Sequence, residues 1–237
     1  MKIGIMQPYF FPYLGYFSLI KHTDQFVLFD TAQFIRHGWI ERNRILKPLE
    51  GWQYIQVPLQ KHHQTTLIKD IAINNSIHWQ EKILAQLQHY KKKAPYYYST
   101  IKLIKDIFSY DNFSDIVSLN RIVLEKTMDY LGVKTEIKQF STMGLSIEPA
   151  HAPDEWALNI CMALGNITAY WNPTGGKQFF DVTKYTKSGI DLKFHSVNLT
   201  EYDQKRPCFE QGLSIIDVMM FNDIQAINEM LDNYKLD

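Results

Sequence analysis

The chain has 237 residues, of which 46% are apolar, enough to bury a substantial core in one large domain or two small ones. Lys+Arg and Asp+Glu balance at 25 each. Nothing global therefore pulls toward nucleic acid or an anionic membrane surface, and no nucleic-acid partner is expected.

The opening, MKIGIMQPYFFPYLGYFSLI, has Lys2 near its start, but Gln7, Pro8 and Pro12 interrupt its apolar stretch and no small-residue cleavage site follows. It does not read as a secretion signal. No segment reaches the ~18 to 20 continuous apolar residues that a membrane span needs. The expectation is a soluble, cytoplasmic protein without a membrane span.

Lys2 to Met6 reads as a short buried strand. Pro8 ends it, having no amide proton for a ladder, and Pro12 suits the first turn of a helix running to Lys21. Phe26 to Phe29 is a second strand, with Asp30 at its end. Strand, helix and strand make a βαβ unit, so the two strands should lie parallel. The loop after the first strand then lies at the sheet's carboxyl edge, where open α/β sheets bind ligands.

A basic, aromatic stretch, FIRHGWIERNRILKP, comes next. WQYIQVPL and LIKDIAI alternate as strands do. Helices follow: one capped by Ser76, one opened by Pro95 and one capped by Ser114 and stopped at Gly132. KTEIKQF reads as a strand and EWALNICMALG as a helix ended by Gly165. ITAYWN and DLKFHSVNL read as strands, and the chain ends in two helices. The fold class is α/β, with a Rossmann-like N-terminal half and a largely helical remainder with a few added strands. A division at residues 1–140 and 141–237 is expected, the two halves packed together and forming one continuous domain or two.

Three stretches could carry chemistry. Gln7 follows a strand end, with Tyr9, Phe10 and Tyr16 able to stack on a ring and a helix N-terminus favouring a phosphate. Asp30, Gln33, Trp39, Arg42, Asn43 and Arg44 form a second group, in which guanidinium forks suit phosphate or carboxylate. A carboxylate at position 30, beside Gln7 at the sheet edge, could act as a base or orient an amine. Gly175, Gly176 and Lys177 form a third, where backbone could approach an anion, although no P-loop spacing is present. Histidine spacing fits no metal site, and the two cysteines, Cys161 and Cys208, make no zinc or disulfide framework. No metal or cofactor is expected.

MKIGIMQPYFFPYLGYFSLI, DQFVLFDTAQFIRHGWIERNRI and EYDQKRPCFEQGLSIIDVMMF together resemble the WbqC-like family over essentially the whole chain. The resemblance implies an association with bacterial surface-polysaccharide and O-antigen (lipopolysaccharide) synthesis, and a transferase moving a glycyl or similar acyl group onto an amino sugar. The family pattern falls on Gln7, Pro8, Phe10, Pro12, Gly15 and Tyr16, then on Asp30, Gln33, Trp39, Arg42, Asn43 and Arg44. It falls finally on Tyr202, Gln204, Phe209, Ser214 and Asp217. Ser214 and Asp217 also read as a helix N-cap and a first-turn acid.

The leading expectation is a transferase acting on a nucleotide-linked amino sugar. Asp30 and Gln7 would be catalytic, and the aromatic, basic and Gly-rich residues, with Tyr202 and Gln204, would bind substrate. An acyl or aminoacyl donor is the second partner. A non-catalytic nucleotide-sugar-binding subunit and an assembly scaffold are the alternatives. Oligomeric state is left open.

Overall fold

Alternation along the first strand, β1 (Lys2–Met6), decides the layering of the molecule. In the computed structural model, which describes residues 1–110 and 113–237, Ile3 and Ile5 join one buried core while Gly4 faces the other way. A Cβ at Gly4 would stand 2.8 Å from the Phe26 ring, so only glycine lets that ring lie across the strand.

Eight α-helices occur among the described residues. They are α1 (Leu14–Lys21), α2 (Trp79–Leu87), α3 (Tyr97–Phe108), α4 (Ile116–Leu131), α5 (Glu155–Leu164), α6 (Val182–Lys187), α7 (Ile215–Phe221) and α8 (Ile224–Asp232). Six strands make the main sheet: β1, β2 (Gln25–Leu28), β5 (Glu136–Gln139), β6 (Ala169–Pro173), β7 (Asp191–Val197) and β8 (Tyr234–Leu236). Their order is β5-β2-β1-β6-β7-β8. Only β8 runs antiparallel to its neighbour. β3 (Arg42–Leu46) and β4 (Trp52–Gln56) form a separate hairpin.

This is a mixed α/β fold of Rossmann-like type, and β1 and β2 pair in parallel as expected. One face carries α1, α4 and α8 over Phe26, Leu28 and Trp171. The other carries α5 and α6 over Ile3, Ile5, Val27, Tyr170 and Phe194. Every residue of α1 from Leu14 to Ile20 is buried, as its largely apolar sequence requires, and the Ser18 hydroxyl among them donates to the Leu231 carbonyl at 2.6 Å. The expected division near residue 140 falls within the sheet, which takes β6, β7 and β8 from beyond it.

Chain direction turns about β1. The chain goes from β1 to β2 and β5 on one side, and returns through α5 to β6 on the other. The carboxyl ends of β1 and β6 therefore flank a topological switch point, where doubly wound sheets leave a crevice.

Three local expectations are corrected. LIKDIAI is a 3₁₀ turn at Ile68–Asp70 with isolated bridges, because its amides bond to separate loops: Ile68 to Ala32, Lys69 to Asp30 and Ile73 to Ser114. Helix α2 starts at His78, the Ser76 hydroxyl being turned to Asn74. Helix α4 is capped by Asp115, whose carboxylate accepts from the Ser118 amide at 2.8 Å. Gly132 and Gly165 end α4 and α5 with φ of 76° and 74°, as expected of C-caps. Among the described residues no helix is long and apolar enough to cross a membrane.

Candidate functional site

A cavity of about 490 Å³ opens at the switch point. Met6 ends β1 on one side of it, and Asn172 and Pro173 end β6 on the other. Tyr9, Pro12 and Tyr13 come from the loop after β1, and Gly175, Gly176 and Phe180 from the turn after β6. The β3 hairpin supplies Asn43 and Arg44, with Trp39 just before it. Leu199 and Gly212, from the segment between β7 and α7, complete the wall.

The first loop is rigid because its carbonyls are individually capped. The Gln7 carbonyl accepts from the Tyr16 hydroxyl at 2.8 Å, and that of Pro8 from the Asn120 amide at 2.9 Å. The Phe10 carbonyl accepts from Asn43 at 3.1 Å, and that of Phe11 from the Ser214 hydroxyl at 2.7 Å. The Pro12 carbonyl takes the Ile215 amide at 2.9 Å. Two prolines also remove two donors that a buried loop would otherwise have to satisfy. This network holds Phe11 at φ of 40°, a backbone angle that a phenylalanine rarely adopts.

Arg44 is the charged side chain of the cleft lining. Its guanidinium lies 5.5 Å from the Trp39 ring centre and 5.3 Å from that of Trp52. One Nη2 proton goes to the Gly212 carbonyl at 3.0 Å. Its Nε is buried and has no hydrogen-bond partner among the described residues. Guanidinium donors of this kind are the ones that pair with anionic groups.

Neutral polar groups lie around it. Burial, with Tyr13 nearby, raises the Tyr9 phenol above its usual pKa, and burial raises that of Tyr13. Both stay neutral at physiological pH and present O–H donors. A Cβ on Gly15 would stand 2.5 Å from the Tyr13 ring, so Gly15 is the floor on which that ring rests. Asn172 accepts from the Tyr170 hydroxyl at 2.8 Å and donates to the Pro173 carbonyl at 2.9 Å. A Cβ on Gly176 would lie 2.5 Å from its Nδ2.

Of the sequence-derived candidates, Tyr9, Trp39, Asn43, Arg44, Gly175 and Gly176 meet at this cleft. Asp30 does not. It is fully buried, and its carboxylate accepts from Gln139 Nε2 at 2.7 Å and from the Ser141 amide and hydroxyl at 2.9 and 2.5 Å. Both oxygens are engaged in joining β2 to β5, so a base role for Asp30 at the cleft is not carried further. Gln7 stands at the end of β1 without lining the cleft.

Phe10 and Tyr16 are sealed in the core, where they support the loop from beneath. Gln33 is exposed and bonds to the Gln64 carbonyl at 2.9 Å. Arg42 stacks on Tyr54 at 4.0 Å and bonds to the His37 and Gly38 carbonyls. Lys177 pairs with Asp237 at 3.2 Å. Tyr202 and Gln204 bond to Asp217 behind the wall. The N-terminus of α1 is covered: Tyr13 bridges to Ser214 and the Ile215 amide takes the Pro12 carbonyl. The cation that lines the cleft is Arg44 rather than the end of that helix.

Sequence reading missed Met6, Tyr13, Asn172, Pro173, Phe180, Leu199 and Gly212 as cleft residues, and gave Pro12 only a structural place. Tyr13 stood inside the first motif, and Asn172 and Phe180 flank the Gly-Gly pair, so proximity in sequence signalled them. Nothing local signals Leu199 or Gly212, which arrive by tertiary folding alone. Among the described residues no cluster of three or more His, Cys, Asp or Glu side chains could hold a metal ion.

A doubly wound α/β protein with a small-molecule-sized cleft at its switch point is the class that fold and site define. The cleft is largely aromatic and apolar, and its charged contact is cationic. The chain belongs to the WbqC-like protein family, whose family model matches residues 7–229. It is similar, at 26% identity over 225 residues and 93% of both chains, to the uncharacterized protein Rv1507c of Mycobacterium tuberculosis. No solved structure matches the chain.

Proposed function

We propose that the cleft binds a nucleotide-linked amino sugar, and that the protein transfers a glycyl or similar acyl group onto its amine during bacterial surface-polysaccharide synthesis. The observation that carries this reading is Arg44, a guanidinium lying against two indoles in a cleft lined by aromatic rings. Such a cleft suits a ligand with an anionic group and a ring to stack. Its size lies within the range of roughly 300–1,000 Å³ common for ligand pockets. The family resemblance supplies the acyl transfer and the polysaccharide setting.

On this reading Arg44 meets the diphosphate, and Tyr9, Tyr13 or Trp39 packs on a ring. The amine nitrogen attacks the activated carbonyl of an acyl or aminoacyl donor. A C–N bond forms, the bond to the leaving group breaks, and the amine proton leaves with that group or to water. The neutral phenols of Tyr9 and Tyr13 donate to the oxygen on which negative charge develops. Catalysis is then mainly a matter of position, since no carboxylate or imidazole lines the cleft among the described residues. The protein works in the cytoplasm, where nucleotide sugars are made.

That same lining favours a second reading, a nucleotide-sugar-binding subunit without chemistry of its own. Calorimetric titration with nucleotide-linked amino sugars, followed by mass spectrometry with candidate acyl donors, separates the two. Binding with an acylated product supports transfer, and binding without product under every donor supports the subunit. Arg44→Gln should weaken binding by about tenfold or more, the worth of a charge-assisted contact. Binding that survives Arg44→Gln unchanged sinks both readings.

A further inference from the structure

Behind the cleft wall lies a buried carboxylate that the proposed chemistry does not use. Asp217, in the first turn of α7, is fully buried. Its Oδ1 accepts from the Tyr90 hydroxyl at 2.6 Å, and its Oδ2 from the Tyr202 hydroxyl at 2.6 Å and from Gln204 Nε2 at 2.9 Å. None of these four residues lines the cleft.

Gln204 passes the constraint on. It clasps one backbone position from both sides, donating to the Glu210 carbonyl at 3.0 Å and accepting the Glu210 amide at 2.8 Å. Two residues later the Gly212 carbonyl takes the Arg44 guanidinium at 3.0 Å. Two residues further still, the Ser214 amide donates to the Arg44 carbonyl at 2.9 Å. The segment fixed by Gln204 thus grips Arg44 by its main chain and by its side-chain tip. An arginine stem is flexible, so what fixes the tip decides where its free donors point.

We infer that Asp217 and Gln204 are positioning residues for Arg44: through the 210–212 backbone they set the orientation of the guanidinium in the cleft. The consequence for binding rests on the proposed role of Arg44, but the positioning exists without any ligand. Tyr90 provides the internal contrast. It holds Asp217 through the other carboxylate oxygen and accepts the Leu46 amide at 2.9 Å, so it braces α7 against β3, and its hydroxyl bonds to no residue of the 202–212 segment.

The test reads the Arg44 Nε–Hε resonance in ¹⁵N-labelled, ligand-free protein, assigned by its loss in Arg44→Lys. In the wild type the Hε proton should exchange slowly, since Nε is buried. Gln204→Ala and Asp217→Asn should each shift the resonance and speed that exchange by about tenfold or more. Tyr90→Phe should lower Tm while leaving the resonance in place. If Asp217→Asn fails to fold, Gln204→Ala decides alone. An Arg44 signal unchanged in Gln204→Ala, or equally disturbed by Tyr90→Phe, overturns the inference. In a wild type that binds nucleotide sugars, Gln204→Ala should also weaken them while sparing an uncharged nucleoside. A wild type that binds none counts against the proposed function, and the resonance still decides the positioning.

Discussion

Ser141 gives both its backbone amide, at 2.9 Å, and its hydroxyl, at 2.5 Å, to the carboxylate of Asp30. With Gln139 adding a third donor, this joins the end of β2 to the end of β5 around the fully buried Asp30. Asp30→Ala leaves those donors unmatched. It should cost about 2–4 kcal/mol of stability, the usual loss when a buried charged acceptor is removed. Ligand affinity of the folded fraction should stay within about twofold of wild type, because the side chain lies off the cleft. Urea melts paired with calorimetric titration check both, and a collapse of affinity at full stability would restore a role in the site.

Asn120 of α4 reaches the loop after β1, donating to the carbonyls of Pro8 and Ile40 at 2.9 Å each. Asn120→Ala strands two buried carbonyls and should lower stability by about 2–3 kcal/mol. It should also loosen the loop that carries Tyr9 and Tyr13. Amide exchange in residues 9–14 should therefore rise more than exchange in β1, and equal protection in both would refute the brace.

Gly176 and Gly175 are adjacent but not equivalent. A Cβ at Gly176 meets Asn172 Nδ2 at 2.5 Å and the Phe180 ring at 3.2 Å, whereas nothing lies within 4 Å of one at Gly175. Asn172 is held by two hydrogen bonds and cannot give way freely. Gly176→Ala should destabilise by about 1–3 kcal/mol, a typical overpacking cost. Gly175→Ala should melt with the wild type. Thermal melts of the two variants side by side decide it.

Asp217 and His195 are shifted in opposite directions by burial. Burial raises the Asp217 carboxyl from 3.8 to about 6, outweighing donation from Tyr202, Tyr90 and Gln204 and the charge of Arg206. Burial, with His22 nearby, lowers His195 from 6.5 to about 4. The raised acid stabilises the fold fully below its unfolded value and loses that contribution as pH rises through about 6. The depressed histidine contributes above 6.5 and loses its contribution as pH falls through about 4. For the fully buried Asp217 the swing is ~3 kcal/mol. Asp217→Asn removes only the first effect, so the variant should lose stability more steeply than wild type between about pH 7 and about pH 4.5. Urea melts at the two pH values measure this, and parallel losses would contradict it.

Sequence alone determined the elements whose signals are local. The apolar run of β1, broken by Pro8, and the uniformly buried α1 follow from side-chain period and missing amide protons. So do the C-caps at Gly132 and Gly165 and the Ser214 cap, whose hydroxyl accepts the Ile216 amide at 3.2 Å. Tyr9, Trp39, Asn43 and Arg44 were legible as polar, aromatic or cationic residues near strand ends, the same signal that picked out Phe10, Tyr16 and Arg42, which serve packing instead.

Tertiary structure alone decided which strand lies beside β1 on its second side, and so where the crevice opens. It brought Leu199 and Gly212 to the cleft, and it buried Asp30 against a serine 111 positions away in the chain. Nothing in the neighbourhood of residue 30 encodes that partner. A carboxylate at a strand end looks the same in sequence whether a ligand or a distant serine meets it, because burial and hydrogen-bond satisfaction belong to the packed whole.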